Sequence, residues 1–185
     1  MAKEGSPTAG GDDELVLFDL LPGAVSFFAF HNVTVVVWHA TPDALSVERL
    51  RQVSERRRKQ HPKLSVVHIH GAPFDLPDTA TREGLARVVK EGQGTLALVA
   101  VLVPVGGFMA SAIRGLLTGV RVASRGTFEM ALYADLEELV RWLPDEHRAR
   151  TGVTLDVDAL RRVLQRARTF KQPDDPFSEP PDAKS

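Results

Sequence analysis

Thr95-Leu96-Ala97-Leu98-Val99-Ala100-Val101-Leu102-Val103-Pro104-Val105-Gly106-Gly107-Phe108-Met109-Ala110-Ser111-Ala112-Ile113 holds no charged residue. Its reading decides the architecture, because about 18 apolar residues in a row is the usual threshold for a membrane span. Pro104-Val105-Gly106-Gly107 breaks the run with turn chemistry. Before the break stands an aliphatic stretch of strand length. After it, Met109, Ile113, Leu116 and Val120 recur at spacings of three and four, the helical period. A buried strand feeding a helix from about Phe108 to Ala123 accounts for both halves, and no membrane span is expected.

The same switching of period continues outward. Glu14–Leu20 reads as a strand, and Val25–Phe30 and Val33–His39 form a hairpin around His31-Asn32. Thr41-Pro42-Asp43 starts a helix, with Thr41 as the cap, Pro42 at the first helical position and Leu45, Leu50 and Val53 turned inward. Arg56-Arg57-Arg58-Lys59 ends that helix as a solvated basic face suited to the negative end of its dipole. Leu64–His70 is the next strand. Asp78 or Thr79 caps a helix running to about Lys90, and Phe128–Tyr133 is a further strand. Asp135-Leu136-Glu137-Glu138 opens a helix with the stripe Leu136, Leu139, Val140 and Leu143, which Pro144 is expected to end. A last helix spans about Asp156 to Arg168, and Trp142, Leu160 and Leu164 tether it to the sheet. Strands alternating with helices predict an α/β fold. The expected sheet is mostly parallel, of about five strands, with an N-terminal antiparallel hairpin at its edge and helices packed on it. The organisation expected is a tail over 1–13, an α/β domain over 14–143, a helical extension packed on it over 144–171, and a tail over 172–185.

Composition narrows the function. Lys+Arg 23 against Asp+Glu 24 gives a net charge of -1, without the basic excess that phosphate contacts demand of a nucleic-acid binder. No cysteine is present, which removes disulfides and thiolate metal sites and suits a reducing, cytoplasmic setting. The first residues lack the basic-then-apolar plan of a secretory signal.

Ser65-Val66-Val67-His68-Ile69-His70-Gly71-Ala72-Pro73-Phe74-Asp75 and Asp135-Leu136-Glu137-Glu138-Leu139-Val140-Arg141-Trp142-Leu143, in this element order, resemble the STAS domains. That family includes the bacterial anti-sigma-factor antagonists, and related lipid-carrier-type domains are grouped with it. The resemblance runs from Val25 to Leu143. It implies a non-catalytic, regulatory signalling module whose partner is another protein, met through the loop and helix start at Phe74, Asp75, Asp78, Thr79 and Thr81. The family's phosphorylatable Ser-Ser-Gly is replaced here by Leu76-Pro77-Asp78-Thr79, which leaves Thr79 as the candidate phosphoacceptor. A phosphate at a helix N-terminus meets free N–H groups and a favourable dipole.

Other candidates come from the residues alone. His68 and His70 lie two apart on a strand and so share a face; His39, at the end of another strand, would complete a metal site if the strands were neighbours. No carboxylate stands at a fixed spacing beside them, and strand-end histidines held by hydrogen bonds or solvent are the expectation, with no metal and no cofactor. Gly106 and Gly107, at a strand-to-helix junction, offer N–H groups to a ligand. No nucleophile-elbow text appears, and no enzyme is expected. A carrier of a small apolar or lipid-like ligand is the alternative, on the strength of the apolar stretch from Thr95 and of Phe27, Phe28, Phe30 and Trp38. A self-assembling scaffold subunit or homodimer, built through an unpaired strand edge, is the second alternative.

Overall fold

The computed structural model describes residues 15–70, 75–103, 115, 118 and 128–172. Strands β1 (Val16–Leu21), β2 (Val25–Phe30), β3 (Val33–Trp38), β4 (Leu64–His70), β5 (Leu96–Leu102) and β6 (Glu129–Tyr133) form one six-stranded sheet in sequential order. β1, β2 and β3 pair antiparallel, and β3 to β6 run parallel. The expected mixed α/β architecture is therefore present, with six strands once the hairpin is included.

Four helices among the described residues cover the sheet: α1 (Ala44–Gln60), α2 (Thr79–Glu91), α3 (Leu136–Thr151) and α4 (Val157–Arg168). Right-handed crossovers that always step in the same direction deliver their helices to one face. α1 and α2 accordingly lie side by side, with Val47, Leu50, Val53 and Val88 packed on Phe27, Val36 and Trp38. The opposite face takes α3 and α4: Leu139, Leu143, Leu160 and Leu164 pack on Val35, Val67, Leu98 and Leu102. β5 is buried along its whole length, as a strand covered on both faces must be. It breaks off as a strand at Leu102, so the uncharged run is not one continuous helix. The helix expected from Phe108 falls almost entirely outside the described residues, as do Gly106, Gly107 and Phe74.

Three local expectations are corrected. α1 is capped by Asp43 and not Thr41: the Asp43 carboxylate accepts from the Ser46 backbone N–H at 2.8 Å while Ser46 Oγ accepts from the Asp43 N–H at 2.9 Å. A reciprocal cap satisfies two orphan donors where a threonine ahead of proline satisfies one. With the helix starting later, Leu45 turns outward and is 64% exposed. Pro144 does not end α3 but sits inside it. Its missing N–H costs one helical hydrogen bond, and burial of Leu139, Val140 and Leu143 before it and His147 after it outweighs that loss. Gly152, left-handed at φ 76, ends the helix instead.

Candidate functional site

In β3 and β4, Val36 stands opposite His68 and Trp38 opposite His70. Side chains alternate along a strand, which sends Thr34, Trp38, Val66, His68 and His70 to the face under α1 and α2. The two helices do not close fully on that face. A cavity of about 150 Å³ remains, walled by Leu50, Val66, Leu85, Val88, Val99 and Val101 among others. Trp38, His68 and His70 line it at the carboxyl ends of the parallel strands, where open α/β sheets place their ligands. Thr34, Arg57 and Arg58 line it toward the strand starts, because α1 runs back antiparallel to them.

At the upper end the Trp38 indole lies nearly parallel to both imidazoles, tilted 13° from His68 and 15° from His70. Trp38 Nε1 donates to His68 Nδ1 at 3.1 Å. That nitrogen is thus an acceptor, and the network assigns the hydrogen of the neutral ring to Nε2. Among the described residues no protein group takes this hydrogen. Both side chains are half-buried and line the cavity. Burial pushes His68 down to about 4, and burial followed by the nearby His68 pushes His70 down to about 3. Both are neutral donors and acceptors at physiological pH.

At the lower end Arg57 is only 7% exposed. Its Nε donates to Thr34 Oγ1 at 3.2 Å, Nη2 to the His31 carbonyl at 2.7 Å, and Nη1 to Gln60 Oε1 at 3.3 Å. The guanidinium also sits 5.7 Å from the Phe18 ring centre. All of these partners are neutral, and burial lowers the Arg57 pKa. Arg58 beside it reaches Glu91 only at 4.0 Å.

The loop after β4 borders the same cavity through Leu76 and Pro77. The Asp75 N–H donates to Thr41 Oγ1 at 3.0 Å, which ties this loop to the turn before α1. Asp78 caps α2 by accepting from the Thr81 N–H at 2.7 Å, and that bond lowers its pKa. Thr79 is exposed at the first position of α2, with Oγ1 accepting from Arg82 at 3.0 Å. Thr81 is buried, so its side chain presents nothing to a partner.

His39 does not join His68 and His70. As the next residue after Trp38 it turns to the other face, where its Nε2 is 3.0 Å from Ser26 Oγ and its ring lies 6.5 Å from that of Phe170. No group of three metal-ligating side chains occurs among the described residues.

That other face also holds a polar chain the sequence reading did not single out. Ser65 Oγ is 2.7 Å from His147 Nδ1, and His147 Nε2 is 2.8 Å from Asn32 Oδ1. Asn32 Nδ2 donates onward to the Lys63 carbonyl at 2.9 Å. The order hydroxyl, imidazole, amide resembles a nucleophilic triad, but Ser65 and His147 are 0% exposed. A nucleophile that no substrate reaches is a structural tie. Burial, with His31 nearby, pushes His147 down to about 4.

No protein-family model matches the chain, and no curated protein or solved structure does either.

Proposed function

We propose that the protein binds a small, predominantly apolar molecule in the cavity between the sheet and the α1–α2 pair, without transforming it. The observation that carries this reading is the cavity itself, about 150 Å³ with mostly aliphatic walls. An apolar cavity of that order takes up a benzene-sized molecule. The His68 Nε2–H and the Trp38 face supply the few polar and aromatic contacts that orient a guest in such a pocket. With basicity held at about 4 and 3, neither imidazole serves as a general base near neutral pH. No helix among the described residues is long and apolar enough to cross a membrane, and a cytoplasmic carrier suits a chain without cysteine.

Calorimetric titration with indole, a neutral apolar probe, tests the reading. Saturable binding of one equivalent is expected, weakened at least tenfold in Val66→Phe, whose ring occupies the cavity. Equal affinity in both proteins would place the probe elsewhere and refute the assignment.

A second reading, the STAS-type protein-interaction module, draws on Thr79. Its hydroxyl is exposed at a helix start beside Arg82, where a phosphate gains the helix N–H groups and a guanidinium. Under this reading, Thr79→Glu changes the recovery of a protein partner from native lysate severalfold. Recovery unaffected by both Thr79→Glu and Asp75→Ala would argue against it.

A further inference from the structure

The cavity has unlike ends, and the lower one holds two guanidinium groups with a single carboxylate near them, Glu91 at 4.0 Å from Arg58. Arg49, Arg51, Arg56, Arg150 and Arg161 each have a carboxylate partner within 3.2 Å. Asp19, which Arg49 and Arg56 share, is a buried carboxylate at 5% side-chain exposure, and the groups of the other pairs are about a third or more exposed. Arg57, the most buried arginine among the described residues, has none there; its hydrogen bonds end on a threonine hydroxyl, a glutamine amide oxygen and backbone carbonyls. Those bonds occupy Nε, both hydrogens of Nη2 and one of Nη1, which leaves one N–H of the five unspent. Arg58 is 17% exposed at its side chain and meets its acid, Glu91, at the outer limit of an ion pair. A buried guanidinium facing an apolar space is costly unless an anion compensates it.

Resting on the reading of the cavity as a ligand seat, we propose that its occupant is a small monocarboxylic acid, with the carboxylate held by Arg57 and Arg58 and an apolar chain or ring running up to Trp38 and His68. The dimensions agree. Thr34 and Trp38 are four residues apart on β3, and at the strand rise this separates the two ends by about 13 Å. Between them the walls are Leu50, Val66, Val99 and Val101, which match an acyl or aryl body and offer nothing to a second charge. The remaining Arg57 N–H and the weakly engaged Arg58 fork suit the two oxygens of one carboxylate. Neutral His68 and His70 add no competing positive charge at the other end, so the acid has one preferred orientation.

Octanoate, octanol and octylamine, which share a chain and differ in head charge, separate the possibilities in titrations at pH 7.5. Octanoate is expected to bind at least tenfold more tightly than octanol, with octylamine weaker still. Arg58→Gln is expected to weaken octanoate at least tenfold and to change octanol affinity far less, which removes most of the preference for the acid. Arg57→Gln is expected to do the same; because Arg57 also ties α1 to the β2–β3 turn, the Arg58 variant carries the test if that protein fails to fold. Equal binding of octanoate and octanol would overturn the carboxylate assignment and leave the apolar seat standing. Binding of none of the three would overturn both.

Discussion

Replacing His147 with alanine is expected to destabilise the protein by about 3–5 kcal/mol at pH 7, with Ser65 and Asn32 left facing a hole. The imidazole is 0% exposed and joins two elements far apart in sequence, accepting at Nδ1 from Ser65 of β4 and donating at Nε2 to Asn32 of the β2–β3 turn. Its removal strands a buried hydroxyl and a buried amide oxygen, at about 1–3 kcal/mol each, and adds the lost packing of the ring. His147→Gln, which can restore one of the two bonds, should cost clearly less. Denaturant unfolding followed by circular dichroism measures both. A loss below about 1 kcal/mol for the alanine variant would mean that the chain of hydrogen bonds contributes little.

Acid should be nearly as damaging. Burial holds His147 at about 4 in the folded protein against an ordinary value of 6.5. Between those two values the unfolded chain takes up the proton and the folded protein does not, so unfolding is favoured as the pH falls. Stability is therefore fully present above about pH 6.5, declines through pH 5 and levels off below about 4. The total for this one imidazole is on the order of 3 kcal/mol. His68 and His70, held at about 4 and about 3, push in the same direction by comparable amounts. Unfolding free energies measured at pH 7, 5.5 and 4.5 should fall steadily, and the fall should be smaller by up to one proton's worth in His147→Gln. A flat profile over this range would contradict the neutral, buried assignment.

These two results concern residues whose importance was hidden in the sequence, and the reason is specific. With Pro144 read as a helix end, His147 fell outside the stripe Leu136, Leu139, Val140 and Leu143; with the helix continuous it is the next member, four residues after Leu143. Arg57 was hidden in a similar way. Within Arg56-Arg57-Arg58-Lys59 it reads as one cation of a solvated run, yet Val53 and Arg57 are also four apart, on the stripe that α1 buries. A charged residue at the period of the apolar face was the available signal. The cap of α1 was misplaced for a local reason, since Thr41, Asp43 and Ser46 all have oxygens able to cap and only the reciprocal pair satisfies both ends.

What the sequence did carry follows from strong, short-range signals. The unbroken run Leu96–Leu102 has room only for a strand covered on both faces, and the hairpin around His31-Asn32 follows from two β-branched and aromatic runs a turn apart. Asp78 and Asp135 stand ahead of apolar periodicity and cap their helices as expected. The cavity was not legible, because it depends on how far α1 and α2 stand off the sheet. Of the aromatics that suggested an apolar carrier, Phe27, Phe28 and Phe30 are plain core, and Trp38 alone lines the space.

That placement also supplies the most direct test. The chain has two tryptophans, Trp38 against the cavity and Trp142 packed on Tyr133 at the other face, so Trp142→Phe isolates the reporter. Emission from Trp38 in that variant, titrated with octanoate, is expected to shift saturably at one equivalent, and to lose the shift when Val66→Phe is added. An emission unmoved by any apolar ligand that calorimetry shows to bind would mean that the space under α1 and α2 is not where the protein holds its guest.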